Sequence, residues 1–191
     1  QCSDGGYLIT GYTQNYGPGG GDVFLLKTSA TGTLQWFKTF GGATTFESGN
    51  EVKQTSDGGY IITGEIRPAT GTDRQLYLIK TDASGNTLWA KSIGGSKFEI
   101  GYSLVECPTG GFVVVGQTGS FSAISAIYLV KTDSNGNIVW TKTYAPGTSS
   151  AYAAEYGIDN TSDGGFVICG QISVTGSQND ILVIKADANA G

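Results

Sequence analysis

The stretch Gln54-Thr-Ser-Asp-Gly-Gly-Tyr-Ile-Ile-Thr-Gly64 decides the fold of this 191-residue chain, because it occurs four times. The first copy, Gln1-Cys-Ser-Asp-Gly-Gly-Tyr-Leu-Ile-Thr-Gly11, differs from it at two positions, and looser copies run from Glu106 to Gly116 and from Asn160 to Gly170. The Gly-Gly pairs of successive copies are 53, 52 and 54 residues apart. A fixed period of this length predicts a repeat protein in which each period forms one supersecondary unit.

Two further blocks recur with the same period. The first is a short apolar run that ends in a lysine, at Lys27, Lys80, Lys131 and Lys185. The second contains a tryptophan nine residues after the lysine, at Trp36, Trp89 and Trp140, and the fourth period ends before this position. Because its place in the period is fixed, we predict that this tryptophan has an equivalent position in each period.

Each period is predicted to contain four short strands, A to D. In the second period these are residues 50–55, 60–66, 76–81 and 87–93, which are rich in β-branched and aromatic residues and bounded by turn residues. Ser56-Asp-Gly-Gly59 is predicted to form a tight turn in which Gly59 has a positive φ, as does Gly111 in the third copy. The B-to-C and D-to-A connections are longer and vary more.

The apolar runs of strands B and C predict that both faces of each sheet are buried. Four-stranded sheets stacked around an axis bury both faces, and a period near 50 residues is typical of β-propellers. We therefore predict an all-β chain that forms a single β-propeller over residues 1–191. The 52–54-residue period would give about four blades, at approximately 1–41, 42–94, 95–145 and 146–191, of which the first and the last are incomplete. A β-solenoid is the alternative, although its coils usually have shorter periods.

A resemblance to known repeats supports the propeller. Asp82-Ala-Ser-Gly-Asn-Thr-Leu-Trp89 resembles the tryptophan-docking motif of quinoprotein-type propellers, which locks neighbouring blades, but is one residue shorter between Asp and Gly. The complete repeat is more similar to the propeller repeats of secreted and surface-anchored microbial proteins, and the resemblance covers essentially the whole chain. It implies an extracellular or cell-surface location and a scaffold or adhesion role.

The two ends of the chain fall at different points of the period. The first period begins at its A–B turn, and the last ends after strand C. A ring closed by joining these ends would lack one strand D and one strand A. We therefore expect an arc of a larger propeller, or closure by another chain through strand addition at exposed edges.

The composition excludes several classes of function. The chain has no His, the commonest general base and metal ligand, and its net charge is −5 with 11 Lys and Arg. We expect neither nucleic-acid binding, because no basic patch is present, nor membrane insertion, because no run approaches about 18 apolar residues. The Asp-rich turns lack the spacing of a calcium loop, so no metal and no cofactor are predicted.

The cysteines and the repeated lysines are interpreted structurally. Cys2, Cys107 and Cys169 contain no C-x-x-C pair and are predicted to be small buried side chains, with one disulfide as the alternative. The lysines lie in strand C among apolar neighbours. One interpretation is that these lysines form a ring of cationic functional sites. Their repetition in every period favours the other interpretation, in which each side chain reaches water or lies over a Trp as a cation–π contact.

The D-to-A connections contain candidate binding residues. An aromatic residue precedes a glutamate in Phe46-Glu47, in Phe98-Glu99 and, more loosely, in Tyr152 with Glu155. An aromatic platform beside a hydrogen-bond acceptor is typical of carbohydrate binding. The repeated position also fits a glutamate that bonds backbone amides where strand A begins, and a glycosidase acid and base pair is the third interpretation.

The B-to-C loops are predicted to lie on the same side as these connections and to differ completely from one another. Residues 12–21 are aromatic and Gly-rich, whereas residues 67–74 are basic. Variable loops on a repeated frame are where recognition is usually placed. The candidate ligand-binding residues are therefore Tyr12, Tyr16, Phe46, Glu47, Arg67, Phe98, Glu99, Tyr152 and Glu155.

These observations predict a non-enzymatic extracellular module that binds a protein or a glycan, in adhesion or as a scaffold. The alternative is a structural subunit that assembles with further copies of itself into a filament or surface layer. An enzyme, either carbohydrate-active or quinoprotein-like, is the contrasting class, and we do not favour it because the sequence has no His and no unique acid–base constellation, so no catalytic residue is predicted.

Overall fold

The computed structural model describes residues 1–68, 73–122, 125–145, 157–174 and 178–188. The all-β prediction is confirmed for this part of the chain, which forms strands and no helix. The strands are β1 (Tyr7–Thr13), β2 (Asp22–Thr28), β3 (Leu34–Phe40), β4 (Thr45–Gln54), β5 (Tyr60–Pro68), β6 (Gln75–Thr81), β7 (Thr87–Ile93), β8 (Glu99–Glu106), β9 (Phe112–Thr118), β10 (Ala126–Thr132), β11 (Ile138–Tyr144), β12 (Gly157–Asn160), β13 (Phe166–Val174) and β14 (Gln178–Ala186). A helix long and apolar enough to cross a membrane does not occur among the described residues.

The chain divides into two compact units, Gln1–Ile93 and Gly94–Gly191, beside the blade boundary predicted after residue 94. Unit 1 contains a three-stranded sheet, β1-β2-β3, and a four-stranded sheet, β4-β5-β6-β7. Unit 2 contains a four-stranded sheet, β11-β10-β9-β8, and a three-stranded sheet, β12-β13-β14. All neighbouring strands are antiparallel. Each sheet therefore corresponds to one sequence period.

The second period follows the predicted strands, with one correction. Strand D is β7 as predicted, and strands B and C are β5 and β6 with small differences at their ends. Strand A is longer, because β4 begins at Thr45 and includes Phe46 and Glu47. These residues were predicted to lie in the D-to-A connection. They pair with β5 because a bulge between Gly49 and Glu51 re-aligns the two strands.

The A–B turn shows a second correction. Gly58 has a φ of 81°, so the positive φ precedes Gly59, for which it was predicted, by one residue. Gly59 is constrained in another way, because a Cβ there would overlap the carbonyl oxygen of Thr81 and lie 2.6 Å from Lys80 Nζ. The prediction for Gly111 is confirmed, with a φ of 75°.

The repeated lysines are bound by the carboxylates of the A–B turns. Lys80 Nζ lies 2.8 and 3.0 Å from the two oxygens of Asp57 and 3.0 Å from the carbonyl oxygen of Thr81. Lys27 and Asp4 form the same ion pair at 2.7 Å, and Lys185 and Asp163 form it at 2.9 Å. The predicted partners, water or a Trp ring, are therefore wrong for Lys27 and Lys80, whose side chains are 4% and 5% exposed, whereas the Lys185 side chain is 46% exposed and also reaches water. A buried cation is stabilised best by a hydrogen-bonded anion, which the turn supplies.

The third period lacks this ion pair. Thr109 occupies the position that Asp57 has in the second copy. Lys131, the equivalent lysine, forms no ion pair with any described residue and lies beside a depression that Thr109 and Gly110 also line. The third period therefore offers a natural comparison for the energetic value of the turn carboxylate.

Each unit has its own hydrophobic core. The core of unit 1 is formed by Cys2, Val23, Leu25, Tyr60, Ile62 and Ile79. The core of unit 2 is formed by Val105, Cys107, Val113, Val115, Ile127, Leu129, Ile158, Phe166, Ile168 and Ala186. The prediction of buried cysteines holds for Cys2 and Cys107 but is wrong for Cys169, which is exposed, and all three are free thiols.

The tryptophans lie at the same register position of their sheets. Trp36, Trp89 and Trp140 are paired across the strands with Lys27, Lys80 and Lys131, respectively. All three are partly buried. Within unit 1, the ring of Trp36 packs 5.7 Å from that of Tyr60 and against Gly85, where a Cβ would lie 3.1 Å from the indole. Trp36 of the first period thus contacts the C–D turn of the second.

Candidate functional site

Aromatic side chains that remain exposed form the candidate site of unit 1. We call Tyr12, Tyr16, Phe37, Phe46 and Arg67 the aromatic surface, which has two separate parts because the strand register places Tyr12 and Phe37 on opposite faces of the β1-β2-β3 sheet. They come from the end of β1, the β1–β2 loop, β3, β4 and β5, respectively. Tyr12 and Tyr16 are 52% and 65% exposed, and Phe37 is 38% exposed. Large aromatic side chains usually bury most of their surface, so this exposure needs a reason.

The first part of the aromatic surface is a stack of three side chains. The Tyr12 and Phe46 ring centroids are 5.4 Å apart, and the Arg67 guanidinium lies 4.5 Å from the Phe46 ring centroid. Phe46 and Arg67 are directly opposite each other on β4 and β5, which explains the contact. The Phe46 ring packs against Gly21, where a Cβ would collide with it. The Gly-rich β1–β2 loop therefore leaves room for the ring.

The second part is built around Phe37. Its ring centroid lies 5.5 Å from that of Tyr16 and 5.9 Å from that of Phe24, with which it is stacked. Tyr16, Phe37 and the exposed Leu34 line an open depression of about 320 Å³. This depression has an apolar floor and a phenol at its edge, which suits a ligand with both apolar and hydroxyl faces.

The structure places Glu47 in the interior, beneath the aromatic surface. Glu47 is 1% exposed, and its Oε1 accepts a hydrogen bond of 3.3 Å from the backbone N–H of Gly42. Burial raises the pKa of the Glu47 carboxyl, hydrogen bonds from Thr45 and Gly42 lower it, and the charge of Asp22 raises it further. Glu47 is therefore too deeply placed to contact a ligand on the aromatic surface.

Glu99 in unit 2 is also interior, and its carboxylate is fully bonded. It is 0% exposed and accepts hydrogen bonds of 2.7 Å from the Thr118 hydroxyl, 3.2 Å from Ser120 N–H and 2.7 Å from Gly95 N–H. This agrees with the interpretation that these glutamates bond backbone amides where strand A begins. Phe98 is partly buried and packs against Gly119. Tyr152 and Glu155 lie outside the described residues.

Sequence reasoning missed Asp22, a second buried carboxylate in unit 1. Asp22 is 0% exposed, and its Oδ2 accepts a hydrogen bond of 3.1 Å from Gly19 N–H. A signal was present, because Asp22 directly follows the Gly-rich segment 17–21 at the point where an apolar strand begins. A charged residue there must be either exposed or specifically bound.

Among the described residues, no three His, Cys, Asp or Glu side chains converge as a metal site.

Comparisons with known proteins bear on the fold. No model of a protein family matches the chain, and no curated protein matches it. Among solved structures, it is similar to a crystal structure of a protein of unknown function from Bacteroides caccae, with a TM-score of 0.56 and 11% identity. The match covers 94% of this chain and 57% of that one, so the chain spans just over half the length of this neighbour. At this identity, the likeness shows the fold alone.

Proposed function

We propose that the chain is part of a β-propeller in an extracellular or cell-surface protein, and that it binds glycans without catalysis through the aromatic surface. The observation that carries this proposal is the exposure of Tyr12, 52%, at the end of the paired strand β1, and of Tyr16, 65%, in the loop that follows it. Exposed aromatic groups on a rigid frame are characteristic of binding sites, because they contribute contact area at little cost in conformational entropy.

The propeller itself is supported by three features. Each of the four antiparallel sheets corresponds to one period of the sequence. Trp36 packs on the Gly85 turn of the next period, which is the kind of contact that the tryptophan-docking resemblance implies. The solved structure that the chain resembles over 94% of its length is longer than the chain, which is compatible with the arc of a larger propeller that we favour over a closed four-bladed ring.

A glycan fits the chemistry of the surface better than an enzyme substrate does. Sugar rings present C–H faces that pack on aromatic rings, and their hydroxyls bond to groups at the ring edges. The Arg67 guanidinium is held on Phe46, where it can donate hydrogen bonds to hydroxyl or carboxylate oxygens of a sugar. Glu47, which directly follows Phe46, is buried and is not positioned to act as an acid or base on a surface ligand.

The test is a panel of neutral and acidic glycans screened against the 191-residue chain, followed by calorimetric titration of the best ligand. Tyr12→Ala and Tyr16→Ala should each weaken binding about tenfold, the value of one lost aromatic contact. Tyr7→Ala is the matched control, since Tyr7 is 45% exposed on the same strand as Tyr12 but is not part of the aromatic surface. No binding to any glycan, or equal weakening by Tyr7→Ala, would contradict the assignment.

Self-assembly is a second candidate function, favoured by exposed apolar side chains on β14. Ile181 and Val183 on this strand are 84% and 63% exposed, and neighbouring exposed apolar side chains are typical of surfaces that associate. If this strand drives assembly, Ile181→Lys should abolish concentration-dependent sedimentation, whereas Phe121→Lys, at another exposed apolar position, should not. A wild-type chain that sediments as a monomer at all concentrations would contradict assembly.

A further inference from the structure

We propose that Asp22 and Glu47 bind a calcium ion, with the backbone carbonyl oxygen of Thr45 beside them. Asp22 is the first residue of β2 and Glu47 lies near the start of β4, so the site is in unit 1 where the β1–β2 loop meets the β3–β4 connection. We call these two side chains the carboxylate pair. The proposal stands independently of the proposed glycan binding.

Both members of the carboxylate pair carry an oxygen that the protein leaves without a partner. Asp22 and Glu47 are 0% and 1% exposed. One oxygen of each accepts a backbone hydrogen bond, from Gly19 and Gly42, respectively. The other oxygens, Asp22 Oδ1 and Glu47 Oε2, are buried and have no hydrogen-bond partner. Such groups are rare in folded proteins, since they lose hydration and gain nothing in return.

The two unpartnered oxygens face one small space. A Cβ on Gly41 would overlap Asp22 Oδ1 and lie 2.7 Å from Glu47 Oε2. A Cβ on Gly19 would lie 3.4 Å from the same Asp22 oxygen and 3.0 Å from the carbonyl oxygen of Thr45. Oxygens of Asp22, Glu47 and Thr45 therefore border a space that two glycines keep free of side-chain atoms.

Two negative charges in this space need compensation. No ion pair among the described residues involves Asp22 or Glu47. Two adjacent buried carboxylates either share a proton or bind a cation, because two uncompensated negative charges in the interior are strongly unfavourable. The Thr45 carbonyl adds a further acceptor, which favours the cation. A set of oxygen ligands from two loops, without regular geometry, suits calcium better than magnesium.

Glu99, the equivalent glutamate of the third period, needs no cation. It has the same place in its period, but both of its oxygens are bonded by groups of unit 2. The difference arises on the neighbouring strand, where Thr118 is opposite Glu99 and the apolar Ile66 is opposite Glu47. Glu47 has no hydroxyl donor opposite it on β5 and faces a second carboxylate instead.

A bound calcium ion would tie the β1–β2 loop to the start of β4. The loop carries Tyr16, and β4 carries Phe46, so the ion would hold the two parts of the aromatic surface in one arrangement. With only two carboxylates, we expect a dissociation constant on the order of 0.1–1 mM, as in weak extracellular calcium modules.

The experiment measures the thermal unfolding midpoint of the 191-residue chain with calcium, with magnesium and with chelator. At ten times the dissociation constant, calcium should raise the midpoint by about 3–6 °C, and magnesium should have a smaller effect. Asp22→Asn and Glu47→Gln should each abolish the shift. Glu99→Gln, the matched control, should retain it. Terbium luminescence sensitised by the nearby tyrosines gives a second readout, which both variants of the carboxylate pair should lose.

Each other outcome overturns the proposal. A wild-type midpoint that does not respond to calcium up to about 10 mM, well above the weakest such sites, would mean that the two carboxylates share a proton. Equal shifts with calcium and magnesium, or a shift retained in both Asp22→Asn and Glu47→Gln, would mean nonspecific binding of cations to an acidic chain. Gly41→Ala keeps both carboxylates and should also remove the calcium response, because its methyl group occupies the space between them.

Discussion

Replacing Asp57 by Asn tests whether the A–B turns stabilise the fold through their buried lysines. Asp57 accepts hydrogen bonds from the Thr55 hydroxyl at 2.6 Å and the Gly59 N–H at 2.9 Å, besides its two contacts with Lys80. The Lys80 side chain is only 5% exposed. Asn keeps the shape and one acceptor oxygen but removes the charge. Lys80 then remains buried as a cation with the carbonyl oxygen of Thr81 as its neutral partner.

The magnitude follows from the pKa of Asp57. Burial raises this pKa, but hydrogen bonds from Lys80, Thr55 and Gly59 outweigh it and lower it from 3.8 to about 2. A pKa difference of this size between the folded and unfolded states corresponds to about 2.4 kcal/mol of folding free energy for a group shielded from solvent. The Asp57 side chain is 58% exposed, so solvent screening reduces the value. We expect Asp57→Asn to lower the free energy of unfolding by about 1–1.5 kcal/mol at pH 7.

The assay is urea unfolding of wild type and variant between pH 7 and pH 2. Because the folded-state pKa of Asp57 is lowered, its stabilisation is complete above the unfolded-state pKa near 4 and is lost as the pH falls toward about 2. The two proteins should therefore differ at pH 7 and converge at pH 2. Asp73→Asn is the control, since Asp73 is exposed and makes no ion pair with a described residue.

The third period supplies the reverse experiment. Thr109→Asp places the missing turn carboxylate near Lys131 and should raise the free energy of unfolding of unit 2 by about 0.5–1 kcal/mol, the range of a partly exposed ion pair. The reasoning is refuted if Asp57→Asn unfolds at the same urea concentration as Asp73→Asn. It is also refuted if the difference between wild type and Asp57→Asn persists unchanged to pH 2.

Three further predictions concern other features of the fold. Gly58→Ala should lower the free energy of unfolding by about 1 kcal/mol, because a φ of 81° is strained for Ala although the space around it is open. Gly59→Ala should lower it further, because the added methyl group overlaps a backbone oxygen. Urea midpoints of the two variants check both predictions. Burial raises the pKa of Tyr128 to about 12. The neutral Tyr128 side chain therefore stabilises the fold below pH 10, and this stabilisation is lost between pH 10 and 12. Tyr128→Phe should reduce the loss of stability at alkaline pH, as measured by denaturation curves. A thiol reagent should modify only Cys169 in the folded chain and all three cysteines in denaturant, as counted by mass spectrometry.

The strands and turns could be predicted from the sequence because they depend on short-range patterns. The Ser-Asp-Gly-Gly turn and the alternation of apolar segments with turn residues act within about ten residues, and strand D of the second period was predicted as β7 with the same bounds. The start of β4 was predicted five residues too late, because a bulge at Gly49 depends on pairing with β5 and leaves no local signal.

The partners of the charged residues were decided only by the tertiary structure. Phe46-Glu47 and Phe98-Glu99 have the same local sequence, yet Glu99 has three hydrogen-bond donors and Glu47 faces Asp22. The same holds for Lys80, whose partner lies 23 residues away across the sheet. The period of the sequence determines where a side chain lies on its strand. What a buried charge contacts depends on residues of neighbouring strands and loops, and these differ between periods that otherwise look alike.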